Sequence, residues 1–371
     1  MRLASLEVSC VRNLSHVRIE LVDGVNLLVG PNGAGKTSVL EAVHLLARGR
    51  SFRTSHISSV VQRGEPALTV RANAIDEQRG AVTVTLHKRR DNVAEAQVNG
   101  LAERKQSEVA ALLPIQLFLP DGAALVLGGP GERRRFLDWG VFHVKPFALA
   151  TLREYQRALR QRNAMLRSAR GQSAARSAEI GAWTDRLAQA GVIVDELRRD
   201  YVGLLAAEFV RQLARIAPDL SAELEYVAGW PEGEPLVKSL SESLARDVKF
   251  GATHAGPHRA DLRIRSDAAP VAETLSRGQA KAMAIALRLA QAQCTMTVAG
   301  RRSVFLLDEG GAELDQAHAR LLYEAIEDMD CQVMATANAV PAELSGLHRP
   351  TRLFHVEHGA CRMAPSDPGR D

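Results

Sequence analysis

A chain of 371 residues is long enough for two domains with buried cores, and 46% hydrophobic and 24% charged residues are typical of a soluble globular protein. The net charge of +4 does not by itself indicate nucleic-acid binding, and an aromatic content of 4% disfavours base stacking as the main binding device. The four cysteines lie far apart and form no C-x-x-C motif, which disfavours a zinc site or a disulfide framework and favours a reducing, cytoplasmic location. Since no run approaches the roughly 18 apolar residues of a membrane span, we expect no membrane partner.

The start of the chain predicts three strands, over residues 3–8, 16–21 and 24–29. The third strand leads into a glycine-rich loop that fits the phosphate-binding pattern G-x-x-x-x-G-K-[ST]. Helical spacing of apolar residues follows over 38–46, and Gly49 is placed to act as the C-cap of this helix. A strand, a glycine loop and a helix in this order are the context that the pattern requires. The alternative is a glycine-rich turn before an ordinary helix.

The glycine-rich loop offers the chemistry of a nucleotide site. Glycines let successive backbone N–H groups converge on one anion, and the helix N-terminus adds a partial positive charge. We expect Lys36 to reach the β- and γ-phosphates as a catalytic residue, and the Thr37 hydroxyl to ligate Mg²⁺. Nucleotide contacts are predicted for nine consecutive residues: Gly30, Pro31, Asn32, Gly33, Ala34, Gly35, Lys36, Thr37 and Ser38.

Further strands are predicted over residues 67–74, 81–87, 94–98 and 115–119, with an Asn99-Gly100 turn after the third of these. The first hundred residues are therefore expected to form a mixed sheet wrapped on the helix that starts at the phosphate loop. Residues 147–217 have helical character and end before Pro218.

Two basic stretches could contact an anionic polymer. Arginines 133–135 follow a glycine–proline turn, and the alternative there is a capped helix whose first turn is basic. In the segment 151–170, four arginines (153, 157, 160 and 167) share one helical face with few compensating acids, although a solvated charged face is the usual explanation of such a pattern. The arginines taken as candidate DNA contacts are Arg133, Arg134, Arg153, Arg157 and Arg160.

Two histidines four residues apart, His254 and His258, raise the question of a metal site. The intervening Gly256-Pro257 breaks any helix that would bring both rings to one side, so a metal site is disfavoured.

Two motifs in the last third of the chain complete the pattern of an ATPase. Residues 275–279 precede a strong helix over 280–293, where Ser276 could cap the helix or offer its hydroxyl to an anion. A buried strand over 303–307 ends at Asp308 and Glu309. Asp308 is expected to hold Mg²⁺, and Glu309 to activate the attacking water. A last buried strand is predicted over 331–337. The alternatives are a simple helix N-cap and a strand that ends at an acidic turn.

Taken in this order, the phosphate loop, residues 275–279, residues 307–309 and the stretch Ala312-Glu313-Leu314-Asp315 resemble the ABC-type ATPase head. More closely, the chain resembles the RecF family, a bacterial family related to structural-maintenance-of-chromosomes proteins. Residues 120–138 and 307–322 are the most specific family segments, and residues 160–163 and 256–262 also match. The resemblance covers nearly the whole chain.

The resemblance implies an α/β fold: an ABC-type P-loop ATPase head with mixed sheets around the phosphate-loop helix and a mainly helical second lobe. Lobe I is expected over 1–118 and 300–371, and lobe II over 119–299 with the signature motif. The interval from Lys36 to Ser276, 276 − 36 = 240 residues, is too short for a long coiled-coil arm.

The resemblance also implies a function. Two copies would sandwich ATP and Mg²⁺, with Ser276, Gly278 and Gln279 of one copy facing the nucleotide of the other and Asp315 reporting across the interface. Such a homodimer would be a weak, DNA-stimulated ATPase that binds single-stranded, duplex and gapped DNA, and that works with the RecR and RecO mediators in recombinase loading, replication restart and the SOS response. The alternatives are the ATPase subunit of a transporter and an ATP-gated nuclease.

The chain departs from the pattern of its relatives in four places. Asp308-Glu309 stands where the family usually has two aspartates, and residues 310–311 are glycines in place of bulkier residues. Asn338 stands where a switch histidine would act as γ-phosphate sensor, and Gln116 is the nearest candidate for the glutamine loop.

Overall fold

The computed structural model describes residues 1–77, 79–104, 106–145, 147–169, 177–266, 269–270, 275–311, 316–344 and 346–364, and the side chains of 102–104, 177–178, 269–270 and 310–311 are not described. The stretch around Asp315, and Arg170, lie outside the described residues. The chain divides into two compact units, a first unit of Met1–Gly122 with Thr295–Asp371 and a second unit of Ala123–Cys294.

The strands, in chain order, are β1 (Arg2–Val11), β2 (Leu14–Glu20), β3 (Val25–Val29), β4 (Ala67–Asp76), β5 (Gly80–Arg89), β6 (Ala94–Val98), β7 (Leu101–Arg104), β8 (Ile115–Phe118), β9 (Glu223–Val227), β10 (Asp261–Ser266), β11 (Ala269–Pro270), β12 (Val304–Leu307), β13 (Gln332–Ala337), β14 (Thr351–Glu357) and β15 (Ala360–Met363).

The described α-helices are α1 (Lys36–Arg48), α2 (Gln106–Leu112), α3 (Ala124–Leu127), α4 (Pro130–Val144), α5 (Ala148–Ser168), α6 (Ser177–Ile216), α7 (Leu236–Glu242), α8 (Leu244–Phe250), α9 (Arg277–Ala299) and α10 (Gln316–Asp328). Short 3₁₀ turns span Ile57–Ser59, Pro257–Arg259, Asp308–Gly311 and Ala342–Leu344.

The first unit contains two six-stranded sheets. One has the order β2-β1-β4-β5-β6-β7 with antiparallel neighbours, and the other has the order β15-β14-β3-β13-β12-β8. In the second sheet β14, β3, β13, β12 and β8 run parallel, and only β15 is antiparallel. All five residues of β3 are buried, as expected for a central parallel strand that is covered on both faces.

Helix α1 packs into the core of the first unit, together with apolar side chains from both sheets. Eleven of its thirteen residues are buried. The helix ends at Arg48, and Gly49 caps it with φ +67°, a conformation that suits glycine, so the predicted C-cap is confirmed. The mixed sheet predicted around this helix is in fact two separate sheets.

The second unit is mainly helical. Helices α5 and α6, joined through residues outside the described range, occupy most of the segment in which helices were predicted, and α6 is the longest described helix at 40 residues. A three-stranded sheet with the order β11-β10-β9 completes the unit. The hairpin of β14 and β15 was not predicted: β14 has only two buried residues and β15 has none, so neither shows a long apolar alternation.

Candidate nucleotide site

The predicted catalytic residues converge at one edge of the parallel sheet. The phosphate loop follows β3, Asp308 follows β12, and Asn338 follows β13, and these three strands are adjacent and parallel in the order β3-β13-β12. Because the carboxyl ends of parallel strands meet at one edge, the residues that follow them are brought together there. This edge is therefore the candidate nucleotide site.

The phosphate loop has the backbone geometry that its glycines predict. Gly33 and Gly35 have φ of +78° and +117°, in the left-handed region that side chains disfavour. A Cβ added at Gly30 would lie 2.0 Å from the carbonyl oxygen of Val356 on the neighbouring strand. Asn13 braces the loop from outside, since its Nδ2 donates to the carbonyl of Ala34 at 3.1 Å. The loop is thus braced by β14 and by the turn between β1 and β2.

The ammonium group of Lys36 lies in a cage of neutral oxygens. Its Nζ donates to the carbonyls of Gly30 and Pro31 at 2.5 and 3.0 Å, and to Oδ1 of Asn338 at 2.9 Å. Burial lowers the pKa of Lys36, and the carboxylates of Glu309 and Asp308 oppose that shift. Because the Lys36 ammonium is desolvated and bonded to uncharged oxygens, an anionic partner would stabilise its charged form. The side chain is therefore suited to bind a phosphate chain.

Asn338 is the residue that the sequence offered in place of a switch histidine. The structure puts its amide oxygen on Lys36, so this position does reach the phosphate loop. The NH₂ group of Asn338 can donate a hydrogen bond, as a neutral sensor of phosphate would.

Thr37 and Asp308 form a pair of oxygen donors suited to Mg²⁺. The Thr37 hydroxyl lies 2.9 Å from Oδ1 of Asp308, and the Thr336 hydroxyl donates to the same oxygen at 2.9 Å. Oxygen donors of this kind, completed by phosphate and water, are the set that Mg²⁺ prefers. No group of three or more His, Cys, Asp and Glu side chains that could hold a metal by themselves is present in the described part of the chain. Mg²⁺ would therefore be held by Thr37 and Asp308 together with the nucleotide.

Glu309 is exposed and lines the same cleft as Lys36. Its φ of +57° is uncommon for a residue with a side chain, and its backbone N–H donates to the Thr336 hydroxyl at 2.6 Å. One hydroxyl therefore positions both acids, because it donates to Asp308 and accepts from Glu309. Such a strained conformation is maintained only where surrounding bonds over-determine it.

The cleft beside the phosphate loop has a volume of about 670 Å³, a size suited to a drug-sized ligand or nucleotide. One wall is formed by loop residues from Asn32 to Ser38 together with Glu309. The rest of the lining, named here the basic wall, was not predicted and consists mainly of polar and basic residues: Arg12, Asn13, Arg53, Ser58, Ser59, Val61, Arg63 and Arg90. No single motif marks this wall, because its residues come from three separate stretches of sequence.

Arg12 is anchored to helix α1. Its Nε and Nη2 each lie 2.9 Å from a carboxylate oxygen of Glu41, which is fully buried, and its Nη1 donates to the carbonyl of Ser59 at 2.7 Å. This bidentate pair joins the helix that begins at the phosphate loop to the basic wall of the cleft.

The signature residues begin helix α9 in the second unit. Ser276 Oγ accepts from the Gln279 N–H at 3.2 Å, and Gln279 Oε1 accepts from the Ser276 N–H at 2.9 Å, which is a reciprocal capping box. Ser276, Gly278 and Gln279 are exposed. The local explanation, a capped helix, is confirmed, and the exposure leaves the same residues available to a ligand.

The candidate DNA-binding arginines fall into two groups. Arg133 forms a bidentate ion pair with Asp261 at 2.8 and 2.9 Å, and Arg134 donates to the carbonyl of Ala260 at 2.8 Å, so both are engaged within the second unit. The arginines of α5 at 153, 157 and 160 are exposed and make no ion pair within the described part of the chain. The α5 group is the stronger candidate for contact with a polyanion.

Three other predictions from sequence can be placed. His254 contacts Asp247 at 2.8 Å, whereas His258 contacts the Tyr155 hydroxyl at 2.7 Å, so the two rings have different partners. Gln116 is buried within β8 and is absent from the lining of the cleft. No described helix is long and apolar enough to cross a membrane.

The fold and this site together define an ABC-type P-loop ATPase head. The family model described as RecF/RecN/SMC N terminal domain matches residues 2–361. A structure of an Smc head bound to the C-winged helix domain of ScpA has the same fold, with a TM-score of 0.62, 16% identity and coverage of 100% of this chain and 98% of that one.

Closer relatives identify the branch of this class. DNA replication and repair protein RecF of Pseudomonas entomophila is 39% identical over 361 residues, 97% of each chain, and RecF of Vibrio cholerae is 35% identical over 98% of this chain and 100% of its own. The solved structure of the recombination mediator protein RecF-ATPrS in the RecFOR pathway has a TM-score of 0.88 at 25% identity and covers 98% of both chains. The chain belongs to the RecF family.

Proposed function

We propose that this protein is an ATP-dependent DNA-binding ATPase of recombinational repair and replication restart. The observation that carries the proposal is that Lys36, Thr37 and Glu309 line one cleft at the edge of the parallel sheet, where Asp308 accepts a hydrogen bond from Thr37. The names of the relatives, DNA replication and repair proteins, support the same process. ATP and Mg²⁺ are the proposed ligands of the cleft.

The roles of the residues follow from their positions. The loop N–H groups and Lys36 would bind the phosphates, while Thr37 and Asp308 would hold Mg²⁺, which neutralises phosphate charge when bound. The carboxylate of Glu309 would accept a proton from the water that attacks the γ-phosphate. Asn338 would report the presence of that phosphate by its hydrogen bond with Lys36.

The proposed active form is a homodimer that ATP assembles. The exposed N-terminus of α9, with Ser276, Gly278 and Gln279, would complete the nucleotide site of a second copy, since the partial positive charge at a helix start attracts anions. Residues near Asp315 would lie at the same interface. In this proposal residues 1–118 and 300–371 form the lobe that binds ATP, and residues 119–299 form the lobe that carries the signature motif. Hydrolysis in such a dimer would be slow and DNA-stimulated, because it serves to reset a conformation.

The proposed DNA contacts lie on helix α5. Arg153, Arg157 and Arg160 present exposed guanidinium groups that recognise phosphates in preference to bases. Binding of this kind accepts single-stranded, duplex and gapped DNA and weakens steeply with salt. RecR and RecO are the proposed protein partners, and the name of the RecFOR pathway in the solved relative supports them. A cytoplasmic role in recombinase loading at gaps and in the SOS response completes the proposal.

Light scattering after gel filtration tests the proposal, with and without ATP and gapped DNA. The protein is expected to dimerise with ATP, and Lys36→Ala is expected to stay monomeric with unchanged thermal stability. Thr54→Ala, on a partly buried residue outside the cleft lining, is the control. Normal ATP-dependent dimers of Lys36→Ala would refute the assignment.

A further inference from the structure

The guanidinium group of Arg90 binds four backbone carbonyls of one short segment, residues 58–65. Its Nε donates to Glu65 O at 2.6 Å and its Nη1 to Ser58 O at 3.0 Å. Its Nη2 donates to the carbonyls of Gln62 and Val61 at 2.6 and 3.3 Å. Every nitrogen of this side chain therefore points to the backbone of the segment.

Arg90 has no carboxylate within 4.0 Å among the described residues. Its neighbour Arg89 differs, since that side chain is mostly exposed and pairs with Asp91 at 2.8 Å. An arginine that forms several charge-assisted bonds to carbonyls fixes their geometry in a way that an ion pair at the surface does not.

The segment 58–65 forms part of the basic wall of the cleft that the phosphate loop also lines. Ser58, Ser59, Val61 and Arg63 line the cleft, and Arg90 itself reaches it. The segment is also bonded to the turn that follows β1, because the Arg12 N–H donates to Val60 O at 2.7 Å. The segment is therefore bonded to two arginines in different turns, Arg12 after β1 and Arg90 after β5.

We propose that Arg90 is a positioning residue that shapes the nucleoside end of the ATP site. The inference rests on the proposed function, in which the phosphate loop takes the triphosphate at one end of the cleft. Ribose and base must then extend along the remaining cleft, toward the wall that Arg90 holds. Arg90 acts through the backbone of 58–65, so it sets affinity for the nucleoside and leaves the phosphate chemistry unchanged.

A lysine cannot replace this arginine. An ammonium group keeps the charge but has three donors on one atom, which cannot span carbonyls spread from Ser58 to Glu65 as a planar guanidinium does. Arg90→Lys keeps the positive charge but cannot keep the bonds to the separate carbonyls. Any loss of ATP affinity in this variant therefore comes from the changed geometry of the segment. Arg89→Lys is the matched control on the adjacent, ion-paired residue.

The test measures binding of ATP and of inorganic tripolyphosphate by titration calorimetry, followed by steady-state ATPase kinetics. For Arg90→Lys we expect the Kd and KM for ATP to rise about tenfold, the scale of one lost hydrogen bond, with kcat and the Kd for tripolyphosphate within about twofold of the parent. Amide exchange over residues 58–65 is expected to accelerate in the absence of nucleotide. Arg89→Lys is expected to change none of these quantities.

Unchanged ATP affinity and unchanged exchange in Arg90→Lys would overturn the inference. Equal weakening of ATP and tripolyphosphate would also overturn it, since Arg90 would then support the phosphate site or the fold as a whole. If Lys36→Ala binds ATP normally, the proposed function fails. If Lys36 is required but Arg90→Lys behaves as Arg89→Lys, only this inference fails.

Discussion

Replacement of Arg162 by methionine is expected to destabilise the second unit strongly, although Arg162 belongs to the same arginine-rich helix as the candidate DNA contacts. The side chains of Arg162 and Asp247 are both fully buried and pair at 2.8 Å. Arg162 also donates to the hydroxyls of Thr184 and Thr253 and to the carbonyl of Leu240. One guanidinium thus joins α5 to α6, α7, α8 and the segment that follows α8.

The magnitude follows from the charge that remains. Without Arg162, Asp247 keeps bonds from His254 and Ser243 but loses its cation in a fully buried position. Removal of one partner of a buried ion pair costs about 3–5 kcal/mol in the free energy of unfolding. In a unit of this size that loss lowers the Tm by about 6–20 °C.

Urea unfolding followed by tryptophan fluorescence reports the loss of stability of the second unit. The three tryptophans of the chain, Trp139, Trp183 and Trp230, all lie in the second unit. Arg160→Met, on an exposed arginine of the same helix, is the control and should change the free energy of unfolding by less than about 0.5 kcal/mol.

The double variant Arg162→Met/Asp247→Asn should recover part of the lost stability, because it removes the unpaired carboxylate. A loss below about 1 kcal/mol for Arg162→Met alone would refute the reasoning, since a buried carboxylate without its cation cannot be that stable.

Three further predictions concern catalysis, DNA binding and pH. Glu309→Gln should trap a long-lived ATP dimer on DNA, because the attacking water loses its base, and single-turnover hydrolysis measures this. Replacement of Arg153, Arg157 and Arg160 by glutamine should weaken DNA binding and reduce the slope of log affinity against log salt by up to about 3, as anisotropy titrations at several salt concentrations would show. Burial lowers the pKa of His258 to about 4, with help from nearby arginines, so the unfolded state binds more protons between pH 6.5 and 4. Stability should therefore be unaffected above pH 6.5 and fall by about 3 kcal/mol as the pH approaches 4, and His258→Gln should flatten this part of the curve of unfolding free energy against pH.

Each of these predictions has an outcome that contradicts it. Unchanged turnover in Glu309→Gln would mean that another group activates water. An unaltered salt slope in the triple variant would return α5 to the status of a solvated charged face. A pH dependence that persists without His258 would mean that other groups cause the fall in stability.

The local sequence was enough to predict the phosphate loop, the strand before it and the helix after it. These features depend on local chemistry: glycines at positive φ, an apolar run and a capped helix end, all within twenty-six residues of chain, 49 − 24 + 1. The resemblance to the RecF family depended on further stretches of sequence, above all residues 120–138 and 307–322. Asp308 and Glu309 could be assigned to the site because a buried strand that ends in acids is also a local pattern.

Only the tertiary structure decided which distant residues complete the site. Thr336 bonds to both acids, and Arg90 bonds to the segment 58–65 of the cleft lining. These contacts form because sheet pairing brings separate stretches of sequence together. No local pattern encodes that pairing. Helical periodicity places arginines on faces but does not tell which face is covered. Arg160 is exposed and Arg162 is fully buried, since Asp247, 247 − 162 = 85 residues away, folds back onto only one of these faces.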